Sequence, residues 1–76
     1  MPHVIIKLAA GRTDQRKARI AEEVMTAIMA STGNGEAVVS VSIEDIQPAD
    51  WAEAVYRPEI FGKPDTLYKK PGYGPL

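Results

Sequence analysis

The apolar positions near the start of the chain crowd together as VIIKL, residues 4–8, a short β-branched run that predicts a strand. Val4, Ile6 and Leu8 fall on one side of an extended chain and Ile5 on the other. Apolar groups on both sides predict a strand covered on both faces. After the connection AAGRT the period changes. In DQRKARIAEEVMTAIMAS, residues 14–31, Ala18, Ala21, Val24, Met25, Ile28 and Met29 lie along one stripe of a helix. Thr13 or Asp14 is the expected N-cap, and the TGNG that follows supplies a glycine stop. Met25 and Met29 read as core packing, since thioethers fill irregular gaps. The run AVVSVSI, residues 37–43, alternates cleanly and predicts a second strand. Val39, Val41 and Ile43 are expected toward the helix, with Val38, Ser40 and Ser42 on the other side.

Strand, helix and strand over this length form one βαβ unit, so the strands are expected parallel with a right-handed crossover. Two strands make a poor sheet, and the rest of the chain offers little β pattern. A second copy of the chain is the simplest donor of further strands.

The segment from Gln47 onward holds five of the six prolines and all five aromatic residues, Trp51, Tyr56, Phe61, Tyr68 and Tyr73. A disordered linker would not carry that load. Pro48 suits the first turn of a short helix, PADWAEAVY, and Pro58 is expected to end or bend it. A second helical piece is expected after Pro64, and KKPGYGP closes as turn-like structure. Residues 1–76 are thus expected to form a single domain, with the βαβ unit at 3–46 and the segment 47–76 wrapped over the open sheet face.

A chain of 76 residues is one domain with a thin core, burying only about 60% of its unfolded surface. The net charge is −1 and no basic block occurs, which argues against nucleic acid as a partner. There is no cysteine, so disulfides, thiol nucleophiles and cysteine metal sites are excluded. One histidine without clustered carboxylates predicts no metal site. No apolar run approaches a membrane span or a signal peptide's apolar segment, so no membrane partner and a cytoplasmic location are expected.

No serine–histidine–carboxylate elbow, phosphate-binding glycine loop or metal motif is present. His3, the lone histidine, reads as a solvated strand-edge residue. Pro2 offers more. Initiator methionine is generally removed ahead of a small residue, and removal would leave a secondary amine at the chain end. An α-amino group titrates near pH 7.7–8.0, and burial or a neighbouring arginine lowers that value. A neutral amine fixed by the following strand suits a general base or a nucleophile. The plainer alternative is a proline that merely opens a strand, where it costs nothing.

Taken together, the initial MP, the short apolar strand, GRTDQRK opening an amphipathic helix and the second strand make the chain resemble the tautomerase superfamily, whose type member is 4-oxalocrotonate tautomerase. The resemblance runs from Pro2 to about Trp51. It implies an α/β chain with the β-α-β tautomerase (MIF-like) fold, parallel strands and one main helix, paired so that dimerisation completes a four-stranded sheet. It also implies a cofactor-independent keto–enol tautomerase acting on a small enol or keto acid, with Pro2 as general base. Arg12 stands where the family has an arginine that binds a substrate carboxylate, a contact that would also help to lower the amine's pKa. Trp51 stands where the family has an aromatic that walls the pocket. Ser40 stands where the type enzyme has a second arginine that polarises the keto oxygen. A serine donates one hydrogen bond without charge, which stabilises an enolate less. One arginine and a large aromatic wall point to a monoanionic aromatic substrate such as phenylenolpyruvate rather than a dicarboxylate. IQPADW and KKPGY resemble a dimeric branch of the superfamily, so a homodimer is expected rather than a hexamer. Two alternatives stay open. With Met1 retained, Pro2 is an amide and the fold serves as a non-catalytic dimeric binding module. In a related hydratase or dehalogenase, the protonated proline acts as an acid.

Overall fold

The structure is a computed structural model and describes residues 1–76. The chain divides into two compact units, Met1–Asp45 and Ile46–Leu76, and each is described by itself.

The first unit contains β1 (His3–Ala9), α1 (Asp14–Thr32) and nearly all of β2 (Ser40–Ile46). β1 and β2 pair as a parallel two-stranded sheet. The Ser40 N–H donates to the Pro2 carbonyl at 3.1 Å, so the two strands begin side by side. Along β1, Val4, Ile6 and Leu8 are half-buried, whereas Ile5 is 57% exposed. No residue of this unit is fully buried, as a thin core requires.

The chain enters α1 through Thr13, whose backbone is extended and whose hydroxyl oxygen accepts the Arg16 N–H at 3.1 Å. That bond satisfies one of the donors that a helix start leaves without an internal partner. Asp14 places negative charge in the first turn, where the helix dipole favours it. The helix stops at Gly33, which adopts φ 77° and donates its N–H to the Met29 carbonyl at 2.9 Å. A side chain at that φ would be strained, so glycine is the natural stop. Thr13→Ala is expected to lower stability by about 1 kcal/mol through loss of the cap. Urea unfolding measures it, and an unchanged midpoint and slope would contradict the cap's role.

The predicted stripe of α1 holds at Ala21, Val24, Met25, Ile28 and Met29, all half-buried, but Ala18 is exposed. Lys17 is half-buried instead, and its Nζ lies 2.7 Å from Asp45 Oδ2 and 3.4 Å from Asp14 Oδ1. The hydrogen bond to Asp45 is the main reason that the Lys17 ammonium titrates above its ordinary 10.5. A long aliphatic stem with a paired head can occupy the margin of an apolar face, which a residue-by-residue hydrophobic pattern does not register.

The second strand starts later than its alternation suggests, at Ser40 rather than Ala37. Residues Glu36–Val38 form a 3-10 turn. There the Val38 N–H donates to Gly35 and the Val39 N–H to Glu36, at 3.2 and 3.1 Å. Those donors are engaged locally, and the ladder begins where Ser40 meets Pro2. The phase of the alternation survives at the strand's opening, with Val39 and Val41 half-buried and Val38 and Ser40 exposed.

The second unit opens with a 3-10 turn, Pro48–Asp50, in which Pro48 takes the first position as expected. A helix follows over Ala52–Phe61 in the wide π register, then a 3-10 turn at Pro64–Thr66. Pro58 lies inside the helix rather than ending it. In an α-helix its ring would meet the carbonyl four residues back, that of Ala54. The wider π turn alters that spacing, and the helix runs on to Phe61. Val55 and Tyr56 are buried. The Tyr73 ring lies 5.8 Å from that of Tyr56, tilted by 45°. Gly74, at φ 109°, passes so close that a Cβ there would lie 2.9 Å from Tyr56 Cζ. The closing residues therefore pack on the helix, and the aromatic load of this segment is partly used within it. No helix of the chain is long and apolar enough to cross a membrane.

Candidate active site

Pro2 stands immediately before β1 and is half-buried. Its ring fixes φ, and its carbonyl is held by the Ser40 N–H at 3.1 Å. Sequence and pairing together thus hold this residue at the entry of the sheet. Met1 precedes it and is 95% exposed. While the Met1–Pro2 bond is intact, the nitrogen is an amide without a basic lone pair. Once it is cut, the same nitrogen is a secondary amine held by the strand behind it.

Ser40 opens β2 beside Pro2, and its Oγ lies 2.6 Å from Nδ1 of His3. Both side chains are exposed. His3, which sequence alone leaves as an incidental strand-edge residue, is therefore the direct partner of Ser40. Alternation within each strand does not reveal this contact. It follows from the register between strands, which is set by the bond from Ser40 to Pro2.

Arg12 lies in the connection between β1 and α1, exposed, with Nη1 donating to the Ala9 carbonyl at 3.0 Å. It is tied to the far end of β1. From Pro2 to Ala9 the chain advances seven residues, about 23 Å at about 3.3 Å per residue, far more than one arginine side chain spans. One chain therefore gathers Pro2, His3 and Ser40 and leaves Arg12 at the opposite end of the strand. There Arg12 shares an open groove with Arg16 and Arg19 on the first turns of α1, and Arg19 pairs with Glu23 at 3.1 Å. Trp51 belongs to the second unit, where it is half-buried and its indole N–H donates to the Tyr73 hydroxyl at 2.9 Å.

A potential amine base beside a hydroxyl donor is a minimal set for moving a proton next to a carbonyl. The base handles the proton, and the donor meets the charge that gathers on oxygen.

Comparison with known proteins places the chain in a family. Residues 2–65 match the sequence profile of the family described as Tautomerase enzyme. A probable tautomerase of Xylella fastidiosa (strain 9a5c) is 40% identical over 76 residues, spanning 100% of this chain and 93% of that protein. Tautomerase PptA of Escherichia coli (strain SMS-3-5 / SECEC) is 35% identical over 74 residues, spanning 96% of this chain and 97% of its own. Among solved structures, one from a characterisation of the 4-oxalocrotonate tautomerase isozymes of Methylibium petroleiphilum aligns with a TM-score of 0.64 at 34% identity, over 66% of this chain and 81% of that chain.

Proposed function

This chain belongs to the tautomerase family, and from that premise we propose that it is a cofactor-independent keto–enol tautomerase whose general base is the amine of Pro2, exposed by removal of Met1. The observation that carries this reading is the placement of Pro2, half-buried and pinned to Ser40 at the start of the sheet. The substrate is a small monoanionic enol acid of the phenylenolpyruvate kind. The neutral amine takes the proton of the enol hydroxyl. As the O–H bond breaks, the electron pair moves to form the carbonyl, and the adjacent carbon takes a proton from the prolinium. One proton is moved and no oxidant, reductant or metal is needed. A lowered amine pKa keeps the base neutral at the working pH.

Arg12 binds the substrate carboxylate in this reading, through a forked contact that a lysine would not reproduce. Its distance from Pro2 along β1 supports a site shared between two copies of the chain. In a sheet closed by a two-fold axis, the facing edge strands run antiparallel. The Pro2 end of one protomer then lies against the Arg12 end of the other, so Arg12 of the partner subunit serves Pro2. Such a homodimer also supplies the strands that a two-stranded sheet lacks. Trp51 enters as the aromatic wall by resemblance to the family.

Arg12→Ala is expected to raise KM for phenylenolpyruvate by roughly 10- to 100-fold, the value of a charge-assisted contact, with a smaller change in kcat. Mixing it with Pro2→Ala under conditions of subunit exchange should regenerate activity when assayed well below the wild-type KM, where each variant alone is nearly inactive. Half of the randomly formed dimers are mixed and each has one intact site, so about a quarter of wild-type activity returns. Steady-state kinetics on the separate and mixed proteins measures both effects. An unchanged KM would remove Arg12 from the site, and a mixture no more active than its parts would place it within one chain's own site.

A further inference from the structure

In the tautomerase reading, Ser40 is the uncharged donor that would face the oxygen on which ketonisation builds negative charge. The strand pair sets His3 beside it, with Nδ1 at 2.6 Å from Ser40 Oγ. Neither side chain makes another hydrogen bond or ion pair. Two arrangements of hydrogen satisfy the contact, with opposite consequences. When Nδ1 is bare, the serine O–H turns toward it and has no hydrogen to offer a ligand. When Nδ1 carries hydrogen, it donates to Oγ, and the serine's own hydrogen is free to point outward. An oxyanion facing Ser40 accepts and never donates, so it selects the second arrangement. A hydroxyl that accepts a hydrogen bond also gives a stronger one, because chained bonds polarise each other.

We propose that His3 is a positioning residue that sets the Ser40 hydroxyl as donor to the substrate's carbonyl oxygen, so that the pair stands in for the arginine that this position lacks. The proposal rests on the tautomerase reading of Pro2. The base and the donor are anchored by one backbone bond, from the Ser40 N–H to the Pro2 carbonyl. As Pro2 removes the enol proton, charge grows on the oxygen and meets the Ser40 O–H. The serine keeps its hydrogen throughout, and no proton passes to or from His3. Both side chains are exposed on the single chain.

The test is kcat and KM for phenylenolpyruvate in Ser40→Ala, His3→Leu, the double variant and His3→Asn, with Pro2→Ala measured alongside. An oxyanion donor acts mainly in the transition state, so Ser40→Ala is expected to lower kcat by roughly 10- to 100-fold with KM near that of the wild type. His3→Leu should lose a smaller factor, because the serine keeps its hydrogen but loses the bond that orients and polarises it. The double variant should be no worse than Ser40→Ala, because His3 acts only through the serine. His3→Asn places an amide N–H near the position of Nδ1 and should recover part of the lost kcat. Wild-type kcat in His3→Leu, additive losses in the double variant, or no recovery with asparagine overturns the proposal. An inactive Pro2→Ala beside an unaffected His3→Leu overturns it while leaving the tautomerase intact. A fully active Pro2→Ala overturns both.

Discussion

Replacing Pro2 by alanine is expected to lower kcat/KM for phenylenolpyruvate by about 10²-fold, the lower end of what a positioned general base contributes. The size of the loss has a specific origin. Alanine is also small enough to permit removal of Met1, so the variant still ends in an amine. What disappears is the ring. Proline fixes φ and so points its nitrogen lone pair along one direction, whereas the primary amine of alanine rotates. The fold should not suffer, because the bond that starts the ladder uses the carbonyl of residue 2, which any residue supplies. Circular dichroism and urea unfolding should therefore match the wild type while the rate collapses. A variant that folds normally and keeps full activity would remove Pro2 from the chemistry.

The parts of the fold that were legible in the sequence are those set by local periodicity and by turn chemistry. The stripe of α1, its Thr13 cap and its Gly33 stop depend on residues a few positions apart, and the chain shows them directly. The late start of β2 was not legible, because it depends on where Ser40 finds Pro2. The alternation of Val38, Val39 and Ser40 is the same whether or not the first of them pairs. That the tail helix runs on past Pro58 was not legible for a related reason. Its cost is counted against α-helical spacing, and the chain takes a π register instead.

The candidate site divides in the same way. Pro2 announces itself by its place in the chain, and Arg12 and Ser40 by resemblance. The contact between His3 and Ser40 depends on cross-strand register and has no local signature. The separation of Pro2 from Arg12 was implicit in the length of the strand, since seven extended residues cannot be folded back. A family resemblance names the members of a site without stating which chain contributes each.

Whether the Pro2 nitrogen is an amine or an amide decides the chemistry more sharply than any substitution, because the two forms have the same side chains. An amide nitrogen has its lone pair delocalised into the carbonyl and takes no proton at neutral pH. Met1 is exposed, so its presence would leave the strand pairing undisturbed. Intact mass spectrometry distinguishes the two forms, and the decisive measurement is the rate of phenylenolpyruvate ketonisation by each, assayed separately at equal concentration. The expected result is full activity in the protein that begins at Pro2 and only the uncatalysed rate in the protein that keeps Met1. Equal activity in the two forms would contradict the amine as base.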